Sequence, residues 1–324
     1  MKKLISLLLA LSLTFALCAC GAGGEKADAK ADTKKYTVGV CQLVQHDALD
    51  AATKGFRDAL TEELGDAVTF DEQNASGDIP TCATICNGFA AAKVDLIMAN
   101  ATPALQAAVA ATDTIPILGT SVTEYGVALG IENFSGVAGG NVSGTSDLAP
   151  LDQQAQMIVD LFPEAKTVSI VYCSAEANSA YQVKVVTEAL EAKGITVNAF
   201  AFADSNDVSA VTASACADAD VLYIPTDNTA ASCAEAIGNI AEPAGVPIIA
   251  GEEGVCKLCG VATLTINYYD LGVTTGKMAA RILKGEANIA EMPVEYFPDP
   301  VKKFNPAMAE AFGVTIPADY VAIE

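Results

Sequence analysis

The sequence contains no tryptophan and one histidine, His46, and aromatic residues make up only 6% of it. A single histidine excludes zinc sites built on several imidazoles. No GxSxG or HExxH stretch is present, so the commonest hydrolase signatures are missing. Basic residues are also scarce: 18 Lys and Arg stand against 40 Asp and Glu, for a formal net charge of −22. That balance excludes nucleic acid as a partner and electrostatic docking on anionic lipid. With few aromatics and many Ala and Val, tightly packed α/β layers are favoured over an all-β sandwich.

Hydrophobic residues make up 52% of the 324 positions, enough for two domains of similar size, each with its own core. Residues 1–19 read as a signal peptide. Met1-Lys2-Lys3 is basic, and the apolar run 4–16 is too short to span a bilayer by itself. Leu17-Cys18-Ala19-Cys20-Gly21 resembles a bacterial lipobox, which makes Cys20 the expected lipidation site. Residues 20–35, rich in Ala, Gly, Lys and Asp, read as a flexible tether to the membrane.

Ten cysteines are present, two of them in this leader region. Most of the others sit inside apolar strand or helix patterns, where a thiol acts as a small hydrophobe. Cys82 and Cys86 are four apart on an expected helix and can share a face. Cys256-Lys257-Leu258-Cys259 is the one CxxC, and it fits a local disulfide better than a metal site. No metal and no cofactor are expected.

From residue 36 onward, strands and helices alternate. Residues 36–44 form an apolar strand. Residues 47–64 carry Leu49, Ala52, Phe56, Leu60 and Leu64 at helical spacing, and Gly65 ends the run. Strands follow at 67–73, 94–99 and 115–119, separated by helices. The second half repeats the scheme with strands at 167–172, 195–202, 220–224 and 246–250, Asp207 as a helix cap, and a helix over 230–241. Lys35-Tyr36-Thr37-Val38 matches Lys166-Thr167-Val168, and Ile115-Pro116-Ile117 matches Val246-Pro247-Ile248. The offset is roughly 130 residues, the length of a whole βαβαβαβ half and far longer than a solenoid period.

The expected fold is α/β: two doubly wound parallel-sheet lobes joined by hinge crossovers, with a ligand cleft between them. Lobe 1 is expected to comprise 36–146 plus 268–290, and lobe 2 to comprise 147–267 plus 291–324. The Gly-rich polar stretch 139–147 is the expected first hinge.

In such sheets ligands bind beyond the carboxyl ends of the strands. Those ends collect Asp147, Asp227, Glu252 and Glu253, with no Lys or Arg in the same segments. Several carboxylates around one cleft favour a cationic group such as an ammonium. Thr102, Ser121, Thr123, Asn178 and Ser179 fall where helices begin, so hydroxyls and backbone N–H groups there can hold a carboxylate. Ammonium plus carboxylate describes an α-amino acid. Each of these residue types is also an ordinary helix cap. Asn228 accompanies Asp227, which is expected to receive the ammonium.

Over nearly the whole chain beyond the tether, the sequence resembles the substrate-binding lipoproteins of ABC importers with the type I periplasmic-binding-protein fold, in particular those for tryptophan or tyrosine uptake. The resemblance is carried by Gln45-His46-Asp47-Ala48-Leu49-Asp50, Ala101-Thr102-Pro103-Ala104, Thr120-Ser121-Val122-Thr123 and Glu176-Ala177-Asn178-Ser179. Pro225-Thr226-Asp227-Asn228-Thr229, Gly251-Glu252-Glu253-Gly254 and Tyr268-Tyr269-Asp270-Leu271-Gly272 extend it. Asp47 replaces an expected Pro, and Cys256 and Cys259 stand where no cysteine is expected. The resemblance implies that His46 contacts the ligand. It also implies that the ligand is an amino acid, aromatic by preference, and that a monomeric receptor on the outer membrane face passes it to an ABC permease. The alternatives are an extracytoplasmic enzyme or a ligand sensor using the same cleft. Cys41, the thiol nearest His46 in sequence, lies inside an apolar strand pattern and makes a poor nucleophile.

Overall fold

The computed structural model describes residues 34–297 and 299–324. The expected signal peptide, the expected lipidation site Cys20 and nearly all of the expected tether lie outside the described residues.

The first half lays down β1 (Tyr36–Gln42), α1 (Asp47–Leu64), β2 (Val68–Asn74), α2 (Ile79–Ala92), β3 (Leu96–Asn100), α3 (Thr102–Ala111), β4 (Ile117–Val122), α4 (Tyr125–Leu129) and β5 (Val142–Ser146). The second lays down α5 (Leu151–Leu161), β6 (Thr167–Cys173), α6 (Ala177–Glu191), β7 (Thr196–Phe202), α7 (Val208–Cys216), β8 (Val221–Ile224), α8 (Asn228–Ser232), α9 (Ala234–Ala241), β9 (Ile248–Ala250), α10 (Glu253–Leu258) and β10 (Ala262–Thr265). The parallel sheets run β5-β4-β3-β1-β2 and β10-β9-β8-β6-β7, the same order twice, so the sequence repeat is a repeat of topology. β3, β4 and β8 are buried along their whole length, which explains their unbroken apolar runs. The thiols of Cys82 and Cys86 lie on the buried face of α2, packed with Cys41 of β1.

The chain then returns to the first lobe as α11 (Tyr268–Leu283), packed along α1. This contact is unusually close. A Cβ on Gly55 would stand 2.1 Å from the Tyr269 carbonyl oxygen, and one on Gly272 would stand 2.0 Å from that of Ala52. Only glycine lets the two helix backbones meet in this way. β11 (Glu295–Tyr296) joins the first sheet beside β5. The second sheet gains β12 (Val301–Phe304), antiparallel to β10, and, after α12 (Pro306–Ala311), β13 (Val321–Ala322).

Several expectations need correction. Most of 139–147 is strand β5, so the first crossover shrinks to 147–150. Gly144, at φ +146°, is there for packing: a Cβ would lie 2.1 Å from the Gly119 carbonyl oxygen on β4. Residues 291–296 do not belong to the second lobe, because Glu295 and Tyr296 pair with Thr145 and Ser146. The helix expected over 230–241 is broken at Cys233 into α8 and α9. Asp207 precedes α7 without making a side-chain cap.

Candidate ligand-binding site

His46, Thr102 and Asp147 follow the carboxyl ends of β1, β3 and β5, and at β4 Ser121 lies within the strand's carboxyl end with Thr123 just beyond it. In the second lobe β6, β8 and β9 are followed by Asn178 with Ser179, Asp227 with Asn228, and Glu252. Every expected site residue therefore falls on a strand end of the cleft, and all except the half-buried His46 are buried.

The lobes touch. His46 Nε2 lies 3.3 Å from Asn228 Oδ1. A Cβ on Gly254, at the start of α10, would stand 3.6 Å from the Asp47 Cβ at the start of α1. On the other flank α3 and α4 pack against α6. This is the closed form of a two-lobed clamp.

Inside the clamp, polar atoms are sealed from solvent without partners. His46 Nδ1, Thr102 Oγ1, Ser121 Oγ, Asp147 Oδ1 and Asn178 Oδ1 are all in this state, as is Asn100 Oδ1 at the end of β3. Buried polar groups are almost always hydrogen-bonded, and each unmade bond costs about 1–3 kcal/mol. Here they come from both lobes and share one cleft, which marks a surface shaped for a polar ligand. None is a Lys or Arg. Ala101 and Ser121, beside Thr102 and Thr120, hold φ of 95° and 53°, a positive φ that costs a non-glycine residue about 1–3 kcal/mol. Ala101 gives α3 no side-chain cap, and Pro103 carries no N–H, so the first turn of that helix offers the backbone donors of Thr102 and Ala104.

The carboxylates play unequal parts. Asp147 Oδ2 accepts a hydrogen bond from Tyr268 Oη at 3.0 Å, and its Oδ1 has no partner. Burial pushes Asp147 up to about 6, with Thr123 and Tyr268 hydroxyls opposing and the Glu252 charge adding. Asp227 accepts from Cys173 N at 2.6 Å and from Ala230 N at 2.8 Å. Burial, with Glu176 adding, pushes it up to about 7. Its oxygens are committed to tying β6 to the start of α8, so Asp147 is the acid with an open acceptor. Glu252 caps α10 through Gly254 N at 2.6 Å and Val255 N at 2.5 Å. Burial pushes it upward while His46 opposes. Glu253 is paired with Lys303 Nζ at 2.7 Å instead.

Glu176, Tyr268 and Asn100 are cleft residues that the sequence pattern does not single out. The available signal was position: an acid or amide directly after an apolar strand. Asn178 Nδ2 donates to Thr226 O at 3.1 Å, which leaves Oδ1 as a fixed acceptor. A cavity of about 410 Å³ at the cleft edge is lined by His46, Asp47, Ala231, Ala234, Glu252 and Leu258. Among the described residues no group of three or more His, Cys, Asp or Glu is placed to hold a metal ion. The eight described cysteines are free thiols, and Cys259 Sγ donates to Val255 O at 3.4 Å.

Two lobes of identical strand order, shut on a cleft lined by unpartnered polar atoms, define a solute receptor that works by closing. Residues 37–323 match the family described as ABC transporter substrate binding protein, and the chain belongs to that family. Members act outside the cytoplasm and present small solutes to a membrane permease. The chain is 36% identical over 302 residues to a tyrosine-binding protein of Clostridioides difficile, covering 90% of this chain and 87% of that one. It is similar to a structure from Streptococcus pneumoniae solved in complex with L-Trp, at 34% identity and a TM-score of 0.84, over 88% and 97% of the two chains. It also resembles the ligand-free, open structure of a substrate-binding protein with adhesive properties from Clostridium difficile. That match has 37% identity and a TM-score of 0.67, over 89% and 99% of the chains. No helix among the described residues is long and apolar enough to cross a membrane.

Proposed function

We propose that this protein is the extracytoplasmic receptor of an ABC importer for a free α-amino acid with an aromatic side chain. The reading rests on the set of unpartnered buried atoms. Asp147 Oδ1 and Asn178 Oδ1 are acceptors suited to an ammonium, and the hydroxyls of Thr102, at the start of α3, and of Ser121, at the carboxyl end of β4, suit a carboxylate. A zwitterion satisfies both halves, and closure removes water from both. The names of the relatives supply the aromatic preference: one is a tyrosine-binding protein, and another was solved with L-Trp. Backbone similarity is higher to the L-Trp complex than to the open, ligand-free relative, in keeping with a closed clamp here.

We read the chain as a binder and not an enzyme. It is a monomer, held to the outer membrane face by a lipid on Cys20, and the lipobox-like stretch supports the anchor. Cys20→Ala would then move the protein from the membrane fraction to the medium.

The test is to unfold and refold the protein to strip bound solute, and then to titrate it with amino acids by calorimetry. The chain has no tryptophan, so emission from bound tryptophan is free of protein background. Binding of L-tyrosine or L-tryptophan, with their methyl esters failing, is the expected result. The absence of heat with every free amino acid rejects the proposal.

A further inference from the structure

Glu176 is buried, and its carboxylate accepts from Asn228 N at 3.2 Å and Thr229 N at 2.9 Å, one on each oxygen. A backbone N–H can only donate, so both oxygens are acceptors. The Asn228 amide reaches the same carboxylate at 2.6 Å, and the atom it presents there must be Nδ2. Its Oδ1 therefore faces away, and it lies 3.3 Å from His46 Nε2 across the cleft. An amide oxygen only accepts, so Nε2 carries the ring proton. In the neutral ring Nδ1 is then an acceptor, and it is sealed from solvent with no partner.

We propose that Glu176, acting through Asn228, fixes the tautomer of His46 on closure so that Nδ1 receives the side-chain O–H of tyrosine or N–H of tryptophan. The inference rests on the amino-acid reading above. Glu176 and Asn228 are positioning residues, and His46 is the residue that senses the side chain. The ammonium is assigned elsewhere, because Asp147 lies at the end of β5 and His46 at the end of β1. In the order β5-β4-β3-β1 they are three inter-strand spacings apart, about 14 Å. His46 also borders the 410 Å³ cavity, whose walls include Ala231, Ala234 and Leu258. Those apolar residues give a ring a surface to pack on, beside the carboxylates of Asp47, Glu235 and Glu252.

Because His46 comes from one lobe and Asn228 from the other, the tautomer lock exists only when the clamp is shut. A site built to hydrogen-bond a ligand O–H or N–H discriminates strongly against an analogue that lacks it.

The chain has a single histidine, so ¹⁵N-histidine labelling gives one pair of ring resonances. In solute-stripped protein the ring is expected to sample both tautomers, and saturating L-tyrosine should leave only the Nε2–H form. By calorimetry tyrosine should bind at least tenfold more tightly than phenylalanine. In Glu176→Gln and in Asn228→Ala that ratio should fall toward one, whatever either substitution costs in overall affinity. If Glu176→Gln fails to fold, Asn228→Ala decides, since it retains the backbone N–H to Glu176. A bound complex with the Nδ1–H tautomer, or with an imidazolium set against Glu252, overturns the proposal. So does an unchanged tyrosine-to-phenylalanine ratio in the folded variants. Either result leaves the amino-acid reading standing, whereas failure of the wild type to bind any amino acid overturns both.

Discussion

Tyr268 Oη donates a hydrogen bond to Asp147 Oδ2 at 3.0 Å, joining the two ends of the hinge. Asp147 is the first residue after β5, where the chain leaves the first lobe. Tyr268 is the first residue of α11, where the chain comes back. The acid with an open acceptor is thus bonded across two crossovers, and a charge placed on its other oxygen acts directly on the hinge. Asp147→Asn keeps the shape and removes the charge. We expect a loss of amino-acid affinity of roughly 2–5 kcal/mol, the range for truncating one partner of a buried charge pair. Tyr268→Phe should cost less, about 1.5–3 kcal/mol for one hydrogen bond to a charged group. Calorimetry reads both, and a thermal melt of Asp147→Asn should show no loss of fold.

The buried acids make stability depend on pH in a defined sense. Asp147 is raised to about 6 and Asp227 to about 7 in the folded protein. In the unfolded chain both titrate near the ordinary value of about 3.9. The folded state holds their protons more tightly, so their contribution is fully present below about pH 4 and is lost as pH rises toward 7, at up to roughly 1.4 kcal/mol per unit for each group. Solute-stripped protein should therefore melt higher at pH 5 than at pH 7.5. An ammonium beside Asp147 favours its charged form, so the melting shift produced by ligand should grow over the same interval. A ligand shift independent of pH would place the ammonium away from Asp147.

Asp227→Ala removes acceptors from two buried backbone N–H groups, those of Cys173 and Ala230. Loss of the cap on α8 costs about 1 kcal/mol, and stranding the Cys173 N–H costs about 1–3 kcal/mol more. We expect a clear fall in denaturation midpoint, with Asp227→Asn milder because one oxygen remains. A variant with full stability and no ligand binding would instead return Asp227 to the role of ammonium acceptor.

Much of this organisation was legible in the residues. Helix α1 has the bounds its Leu49, Ala52, Phe56 and Leu60 spacing implies, and the internal repeat implied two sheets of one strand order. All the expected cleft residues lie on strand ends because the end of a parallel strand is set by where its apolar run stops. The two-residue strand β11 was not legible: so short a segment has no periodicity, and its partners lie some 150 residues away in β5. The division of labour among the acids was hidden for a similar reason. Asp227, Glu252 and Glu176 all follow a strand and precede a helix. The fact that Asp227 spends an oxygen on Cys173, 54 residues earlier, appears only when β6 and β8 lie side by side.

The seam between α1 and α11 carries the last expectation. A Cβ at position 272 would meet the Ala52 carbonyl oxygen at 2.0 Å, and backbone cannot turn aside as a side chain can. Gly272→Ala must therefore push α11 off α1, at a cost of about 1–3 kcal/mol or more. It should also weaken ligand binding, because Tyr268, which holds Asp147, sits one turn earlier on the same helix. Gly88→Ala is the control: it lies within α2 with nothing within 4 Å of its added Cβ, and the gain in helix propensity should raise stability by about 0.5–1 kcal/mol. Denaturant titration and calorimetry on the two variants separate packing from ligand effects. Loss of affinity in Gly272→Ala alone ties the helix seam to the cleft, whereas equal affinity in both would mean that Asp147 holds its position without Tyr268.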